Sequence, residues 1–100
     1  MAKLKSLTYE VFGTVQGVFF RKYTVNKAVE LNLVGWVKNT EKGTVQGIAQ
    51  GEDTEIEVFK KWLQYEGSPF SKILKVEFEE ADIKAAEFKE YSTDWKPKNP

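Results

Sequence analysis

The sequence contains no cysteine and no histidine. Without cysteine the chain has neither a disulfide nor a thiol nucleophile, and without histidine it has no imidazole base. Zinc sites also depend largely on these two residue types. These absences exclude ordinary metal-dependent enzymes, cysteine enzymes and enzymes with a Ser-His-Asp triad.

Long apolar runs and an excess of charge are also lacking. No run approaches the roughly 20 apolar residues that span a bilayer, and residues 1–5 lack the apolar core of a signal peptide. The 15 Lys and Arg balance the 15 Asp and Glu, whereas a general nucleic-acid binder is usually basic. We therefore predict a soluble, cytoplasmic monomer with no membrane or nucleic-acid partner, in which any anion site is local.

The length of 100 residues suits a single domain, 1–100, with one hydrophobic core. The termini, residues 1–5 and 96–100, are predicted to be flexible. Residues 7–12 alternate as in a half-buried strand that ends at Gly13. A helical pattern follows, and its apolar residues are Val25, Ala28, Val29 and Leu33.

A hairpin and a second helix are predicted next. Residues 34–38 and 44–50 have strand patterns and are joined by turn residues at 39–43. Thr54 and Glu57 then have the spacing of a capping box at a helix start. The apolar side of this helix is expected to hold Ile56, Phe59 and Leu63, flanked by Val58 and Trp62.

The order of elements predicts the fold. Either Asn32 or Gly35 is expected to end the first helix, and residues 67–69 to stop the second. A strand with Leu74, Val76 and Phe78 on one face follows, and residues 88–95 form a weaker last strand. The result is a ferredoxin-like α/β sandwich, β-α-β-β-α-β plus a C-terminal strand. Its two helices cover one face of a mainly antiparallel sheet.

The stretch from Gly13 to Arg21 has the character of an anion-binding cradle. A turn containing Gly13 and Gly17 can aim successive backbone N–H groups into one concavity, and a helix N-terminus adds partial positive charge. Arg21 in the first helical turn opposes that dipole, so a bound anion would relieve the conflict. The stretch lacks the Gly-Lys-Ser/Thr ending of a nucleotide-binding P-loop.

Two segments carry a resemblance to a known family. Residues 11–21, VFGTVQGVFFR, resemble the phosphate-binding signature of acylphosphatases. Residues 35–39, GWVKN, followed by Gly43, Val45 and Gly51, resemble the second signature of the same family. The resemblance covers nearly the whole chain in length and element order. It implies hydrolysis of the carboxyl-phosphate bond of acyl phosphates, with no metal or other cofactor.

The resemblance also implies the roles of individual residues. Arg21 would be the catalytic arginine that binds phosphate, and Asn39 would orient the attacking water. The phosphate cradle would be Val15, Gln16, Gly17, Val18, Phe19 and Phe20. Because the carboxylate is already a good leaving group, holding the phosphoryl group and aiming one water can suffice. The substrate's own phosphate would take the proton, and inorganic phosphate would be both product and competitive inhibitor.

Each site residue has an ordinary structural alternative. Taken alone, Gly13 and Gly17 are turn or bulge glycines, Asn39 is a turn residue, and Arg21 is a solvated helix residue. The hydroxyls of Thr40 and Thr44 are expected to bond local backbone, so neither is assigned to catalysis. The acidic pairs at 52–53 and 79–80 are expected at the surface. Four aromatics are candidates for the lining of an acyl pocket, but periodicity favours core packing for them: Phe19, Phe20, Tyr23 and Trp36.

Two further function classes stay open at this point. An RNA-recognition module has the same element order, but it stacks bases on aromatics of a central strand, and residues 44–50 contain none. A noncatalytic sensor of phosphate or acyl phosphate would use the same cradle as an enzyme. Separately, residues 7–12 and 88–95 are β-prone and would favour aggregation if they formed exposed sheet edges.

Overall fold

The computed structural model describes residues 3–93, which form one five-stranded sheet and two helices. The elements are β1 (Leu4–Thr14), α1 (Phe20–Glu30), β2 (Val34–Asn39), β3 (Val45–Glu52), α2 (Asp53–Tyr65), β4 (Lys72–Ile83) and β5 (Tyr91–Ser92). The strand order is β4-β1-β3-β2-β5, and every neighbouring pair is antiparallel except β2 and β5. The predicted ferredoxin-like order and its extra C-terminal strand are confirmed.

Strand β1 lies inside the sheet, between β3 and β4. Residues 7–12 therefore do not form an exposed edge, so the condition for aggregation through them is not met; the edges are β4 and β5. The flexibility predicted for residues 1–5 does not extend to Leu4 and Lys5, which pair with residues of β3. The strand is longer than predicted because both neighbours supply backbone partners along it.

The hydrophobic core lies between one face of the sheet and both helices. Alternate residues of β1 point into it, and α2 contributes four large side chains. These core residues include Leu7, Tyr9, Val11, Ile56, Phe59, Trp62 and Leu63. Val58, at the flank of the predicted apolar side, is exposed. Neither α1 nor α2 is long and apolar enough to cross a membrane, and no other helix occurs within 3–93.

Helix α1 buries a different stripe from the one that its apolar residues predict. Its buried residues are Phe20, Thr24 and Ala28, four residues apart, whereas Val29 is 59% exposed. Thr24 occupies a core position because its hydroxyl donates to the Phe20 carbonyl at 2.8 Å, which satisfies the polar group. Leu33 is buried, but it lies beyond the helix end.

Of the two residues predicted to end α1, Asn32 does so. It adopts a left-handed conformation with φ 58°, and its amide donates to the Val29 carbonyl at 3.0 Å. The Leu33 amide donates to the Ala28 carbonyl at 2.8 Å, which completes a Schellman motif. Gly35 instead belongs to β2.

The capping box predicted for α2 is wrong. Strand β3 runs directly into the helix, so the N-cap is Glu52 and the first helical residue is Asp53. Thr54 is already inside the first turn, where it cannot form a capping box with Glu57. The predicted stop is confirmed, because α2 ends at a left-handed Gly67 with φ 65°.

A β-bulge reverses the side-chain alternation near the start of β4. Phe12 pairs with Lys75 and Gly13 pairs with Ile73, which leaves Leu74 as the extra residue. Leu74 is 81% exposed, and Ile73 takes its place on the core face with Val76 and Phe78. The prediction that Leu74 shares their face is therefore wrong.

The last strand is shorter than residues 88–95 predict. Among residues 88–93 the strand comprises Tyr91 and Ser92, which pair in parallel with Gly35 and Trp36 of β2. The Tyr91 hydroxyl lies 2.6 Å from that of Tyr9, and both side chains are buried. Residues 94 and 95 of the predicted strand and the predicted flexible tail 96–100 lie outside the described residues.

Candidate active site

The segment between β1 and α1 contains two residues in left-handed backbone conformation. Gly17 has φ 75° and Phe19 has φ 58°. A Cβ at Gly17 would meet nothing within 4 Å, so glycine is favoured there by backbone conformation, not by lack of space. Left-handed residues within a turn direct neighbouring N–H groups toward one side, which produces an anion-binding concavity.

The start of α1 adds further free amides to that concavity. The first helical hydrogen bond runs from the Tyr23 amide to the Phe19 carbonyl at 3.1 Å. The amides of residues 19–22 precede it and have no partner within the helix. No side-chain cap bonds them, and the first turn contains no acidic residue. This arrangement favours an anion at the helix N-terminus.

Arg21 is exposed in the first turn of α1, as predicted. Among residues 3–93 it forms no ion pair. A guanidinium in this position can donate two parallel hydrogen bonds to a phosphoryl group. Its placement beside the cradle is therefore suited to the ligand that the backbone amides favour.

Asn39 is the last residue of β2 and pairs with Val45 of β3. The hairpin turn that follows is closed by the Thr40 amide, which donates to the Thr44 carbonyl at 2.9 Å. Gly43 in this turn is left-handed, with φ 87°. Asn39 shares the core-facing side of β2 with Val37, so it faces the side of the sheet that α1 covers.

One open cavity of about 760 Å³ brings these parts together. Its lining includes Arg21, Asn39 and four of the predicted cradle residues, Val15, Gly17, Phe19 and Phe20. Val18 does not line the cavity and packs against the core. Sequence reasoning missed further lining residues on α1 and at the C-terminal strand: Lys22, Val25, Asn26, Tyr91, Ser92 and Thr93.

Gln16, the remaining predicted cradle residue, connects the cradle to the hairpin. Its side-chain Nε2 donates to the carbonyl oxygens of Thr40 at 2.9 Å and Thr44 at 2.8 Å. The Thr44 hydroxyl donates to Glu10 Oε2 at 2.6 Å and also contacts the Thr40 hydroxyl. The Thr40 hydroxyl is thus engaged locally, but the Thr44 hydroxyl donates to the Glu10 side chain on β1, so the expected local backbone bond is wrong for Thr44. The position of Asn39 relative to the cradle depends on these bonds.

The Acylphosphatase family profile matches residues 7–92. The chain belongs to the acylphosphatase family. It is 51% identical over 90 residues to Acylphosphatase-2 of Mus musculus, and the alignment covers 89% of this chain and 85% of that protein. It is 52% identical over 89 residues to Acylphosphatase-1 of Gallus gallus, and the alignment covers 88% of this chain and 90% of that protein.

Solved structures agree with this assignment. An acylphosphatase from Coxiella burnetii superimposes with a TM-score of 0.83 at 36% identity, covering 92% of this chain and 94% of that one. The predicted family and the predicted enzyme class, acylphosphatase, are confirmed. The RNA-recognition and sensor alternatives are therefore displaced by an enzyme of this family.

The aromatic residues of this acylphosphatase do not all pack as predicted. Phe20 is buried in the core, but Phe19 is 71% exposed on the cavity and Tyr23 is 41% exposed. Phe19 precedes the helix in a left-handed conformation, so it does not follow the helical periodicity that predicted burial. Trp36 is half-buried, with the Lys38 ammonium 5.5 Å from its ring centroid.

The charged and titratable groups of the acylphosphatase cavity are few. Within the described chain no cluster of Asp and Glu is arranged to hold a metal ion. Tyr91 lines the cavity as a neutral phenol, because burial raises the pKa of its hydroxyl well above the ordinary value. The two charged side chains that line the cavity, Arg21 and Lys22, are both cationic.

Proposed function

We propose that this acylphosphatase binds the phosphoryl group of its substrate with residues 15–20 and Arg21, and that Asn39 orients the attacking water. The observation that supports these roles most directly is the shared cavity of Arg21, Asn39 and the cradle. The reaction proposed is hydrolysis of an acyl phosphate to a carboxylate and inorganic phosphate.

Binding of the phosphoryl group would rest on backbone amides and one guanidinium. The free amides at the start of α1 donate to oxygens that carry negative charge, and Arg21 neutralises part of that charge. These donors are fixed by the left-handed residues and by the helix, so little reorganisation accompanies reaction. Such preorganised donors stabilise a loose phosphoryl-transfer transition state, in which charge spreads over the equatorial oxygens.

Hydrolysis would require one water in line with the bond that breaks. The Asn39 carboxamide offers both a carbonyl oxygen and an NH₂ group to hold that water. The water oxygen forms a bond to phosphorus, and the bond from phosphorus to the acyl oxygen breaks. The carboxylate leaves with the electron pair, and a water proton passes to a phosphate oxygen. No side-chain base is needed in this scheme.

The side chain of Gln16 would act as a positioning residue and not as a phosphate ligand. Its two bonds hold the hairpin turn against the cradle, and Asn39 directly precedes that turn. Because a shift of about 1 Å in a water-orienting group can lower turnover roughly 100-fold, the connection bears on catalysis.

The test is hydrolysis of benzoyl phosphate with a chelator present, together with inhibition by inorganic phosphate. The wild type is expected to turn over without added metal. Arg21→Ala should lower kcat/KM by about 10³-fold or more and abolish phosphate inhibition, with Arg21→Lys in between. Asn39→Ala should lower kcat by about 10²- to 10³-fold while phosphate still inhibits.

The outcomes separate the alternatives. Phosphate binding without any turnover by the wild type would favour a sensor, and retention of RNA without hydrolysis would favour an RNA module. Parallel losses of phosphate inhibition in Asn39→Ala and Arg21→Ala would contradict their separate roles. Circular dichroism of each variant checks that it is folded.

The proposal extends to partners and location. Inorganic phosphate, the product that the cradle fits, is expected to inhibit competitively. The enzyme is proposed to act as a cytoplasmic monomer without nucleic acid or membrane partners. Its formal neutrality supports the lack of a nucleic-acid partner. Sedimentation equilibrium tests the oligomeric state, since a concentration-dependent mass would contradict a monomer.

A further inference from the structure

The cavity continues beyond the phosphate cradle along α1. Lys22 and Asn26 both line it, and their spacing of four residues puts them one turn apart on the same face of the helix. A volume of about 760 Å³ is far larger than one phosphoryl group requires. Part of this cavity is therefore available to the acyl portion of a substrate.

The lining of the cavity is partly apolar. Phe19 is largely exposed there, and Val25 lies between Lys22 and Asn26 in sequence. These side chains can cover the carbon atoms of an acyl group, while the polar ends of Lys22 and Asn26 meet its far end. The lining thus combines the cradle, apolar side chains and the polar ends of Lys22 and Asn26.

The charges of the cavity are not balanced by its own residues. It contains two cationic side chains, Arg21 and Lys22, and none of its lining residues in the described chain is acidic. Neither cation forms an ion pair with another residue in 3–93. The proposed contact with the phosphoryl group accounts for the positive charge of Arg21. Lys22 has no such assignment.

We propose that Lys22 and Asn26 form a subsite for a carboxylate on the acyl portion of the substrate. This inference rests on the proposed placement of the phosphoryl group at Arg21. The Lys22 ammonium supplies the charge, and the Asn26 carboxamide donates one hydrogen bond. The substrates favoured by the enzyme are then acyl phosphates of dicarboxylic acids, in which one carboxyl group is phosphorylated and the other is free.

The test compares benzoyl phosphate with 4-carboxybenzoyl phosphate, which differ only by the free carboxylate. Wild type, Lys22→Met and a control, Lys61→Met, are measured for KM and kcat on both. Lys61 is exposed on α2 and does not line the cavity, so its substitution makes the same change in net charge elsewhere. Lys22→Met should raise the KM ratio of carboxylated to plain substrate by about three- to fivefold, with the kcat ratio little changed. Lys61→Met should leave both ratios unchanged.

A charge reversal provides a second test. Lys22→Glu is expected to shift the KM ratio further in the same direction and to favour 4-(aminomethyl)benzoyl phosphate, which carries a cation at the far end. Asn26→Ala should shift the ratio in the same direction as Lys22→Met, but less. Thermal melting confirms that these exposed-site variants are folded.

Several outcomes would overturn the subsite. An equal rise of KM for both substrates in Lys22→Met would mean that Lys22 contacts the phosphoryl group or acts only by long-range attraction. An unchanged ratio would mean that it contacts no acyl carboxylate. Failure of the wild type to hydrolyse either substrate would instead refute the proposed function, so the two failures are distinguishable.

Discussion

The side-chain Nε2 of Gln16 donates to the carbonyl oxygen of Thr40 at 2.9 Å, across 24 positions of sequence. A second bond from the same nitrogen reaches Thr44 at 2.8 Å, so one amide closes both ends of the hairpin turn. The cradle and the hairpin come from separate parts of the chain, and their relative placement has to be set by contacts of this kind. Gln16 therefore joins the cradle to the hairpin turn that follows Asn39.

Replacing Gln16 by leucine is expected to separate binding from turnover. The leucine keeps side-chain bulk but removes one donor from each of two carbonyl oxygens, which also accept from backbone amides of the turn, so the hairpin and Asn39 should shift. We expect kcat to fall by about 10- to 100-fold while the inhibition constant of phosphate changes by less than about threefold. Steady-state kinetics with benzoyl phosphate measure both quantities.

Gln64→Leu is the matched control, because Gln64 is exposed on α2 and away from the cavity. It should leave kcat unchanged. An unchanged kcat in Gln16→Leu, or a rise in the phosphate inhibition constant that matches the loss of kcat, would contradict the positioning role.

The hydroxyl pair of Tyr9 and Tyr91 is expected to stabilise the attachment of β5. Their oxygens lie 2.6 Å apart, and both side chains are buried. Either single change to phenylalanine leaves the other hydroxyl without this partner, which should cost about 1–3 kcal/mol of unfolding free energy. The double variant should cost less than the sum of the two. Urea denaturation measures all four proteins, and strict additivity would show that the hydroxyls are not coupled.

The same pair should make the fold sensitive to alkaline conditions. Burial raises the pKa of both tyrosines, so the folded state keeps protons that the unfolded state loses above about pH 10. The unfolded state then binds fewer protons, and the free energy of unfolding falls as pH rises. The double phenylalanine variant should show a shallower decline between pH 10 and 12, by roughly 1–3 kcal/mol per pH unit. Equal slopes in the two proteins would contradict this origin.

Substitution of Gly13 is expected to strain the pairing of β1 with β4. It sits at the bulge with φ 135°, and a Cβ there would overlap the carbonyl oxygen of Lys72. Gly13→Ala should therefore cost more than about 2 kcal/mol of unfolding free energy. Gly43→Ala is the control, since it also requires a left-handed residue but meets nothing within 4 Å. Its cost should be about 1 kcal/mol. Equal costs for the two variants would show that the overlap at Gly13 is relieved by small shifts.

Local periodicity was sufficient to predict the order of elements, but not the details that depend on a partner strand. The alternation of Leu74, Val76 and Phe78 is a valid strand pattern, yet Leu74 points outward because β1 pairs with β4 around a bulge. No pattern within residues 72–83 reveals where that extra residue falls. The helix start at Asp53 was also missed, because β3 continues into α2 without a loop.

The part of the candidate site that depends on backbone conformation could be predicted from the sequence. The glycines and Arg21 are adjacent in sequence, so a turn followed by a helix start is readable from the residues. The side-chain bonds of Gln16 and the lining by Lys22 depend on how the hairpin and α1 pack, which a one-dimensional pattern does not contain. Asn26 was signalled only by its position one helical turn beyond Lys22.

The composition of the cavity predicts how the activity of the enzyme depends on pH. The groups proposed to act on the phosphoryl end are backbone amides, one guanidinium and one carboxamide, and such groups keep their charge states throughout the ordinary pH range. The pH–rate profile of this acylphosphatase should therefore follow the ionisation of the substrate's own phosphate. The activity at each pH would then depend on the protonation state of the substrate and not on that of the enzyme.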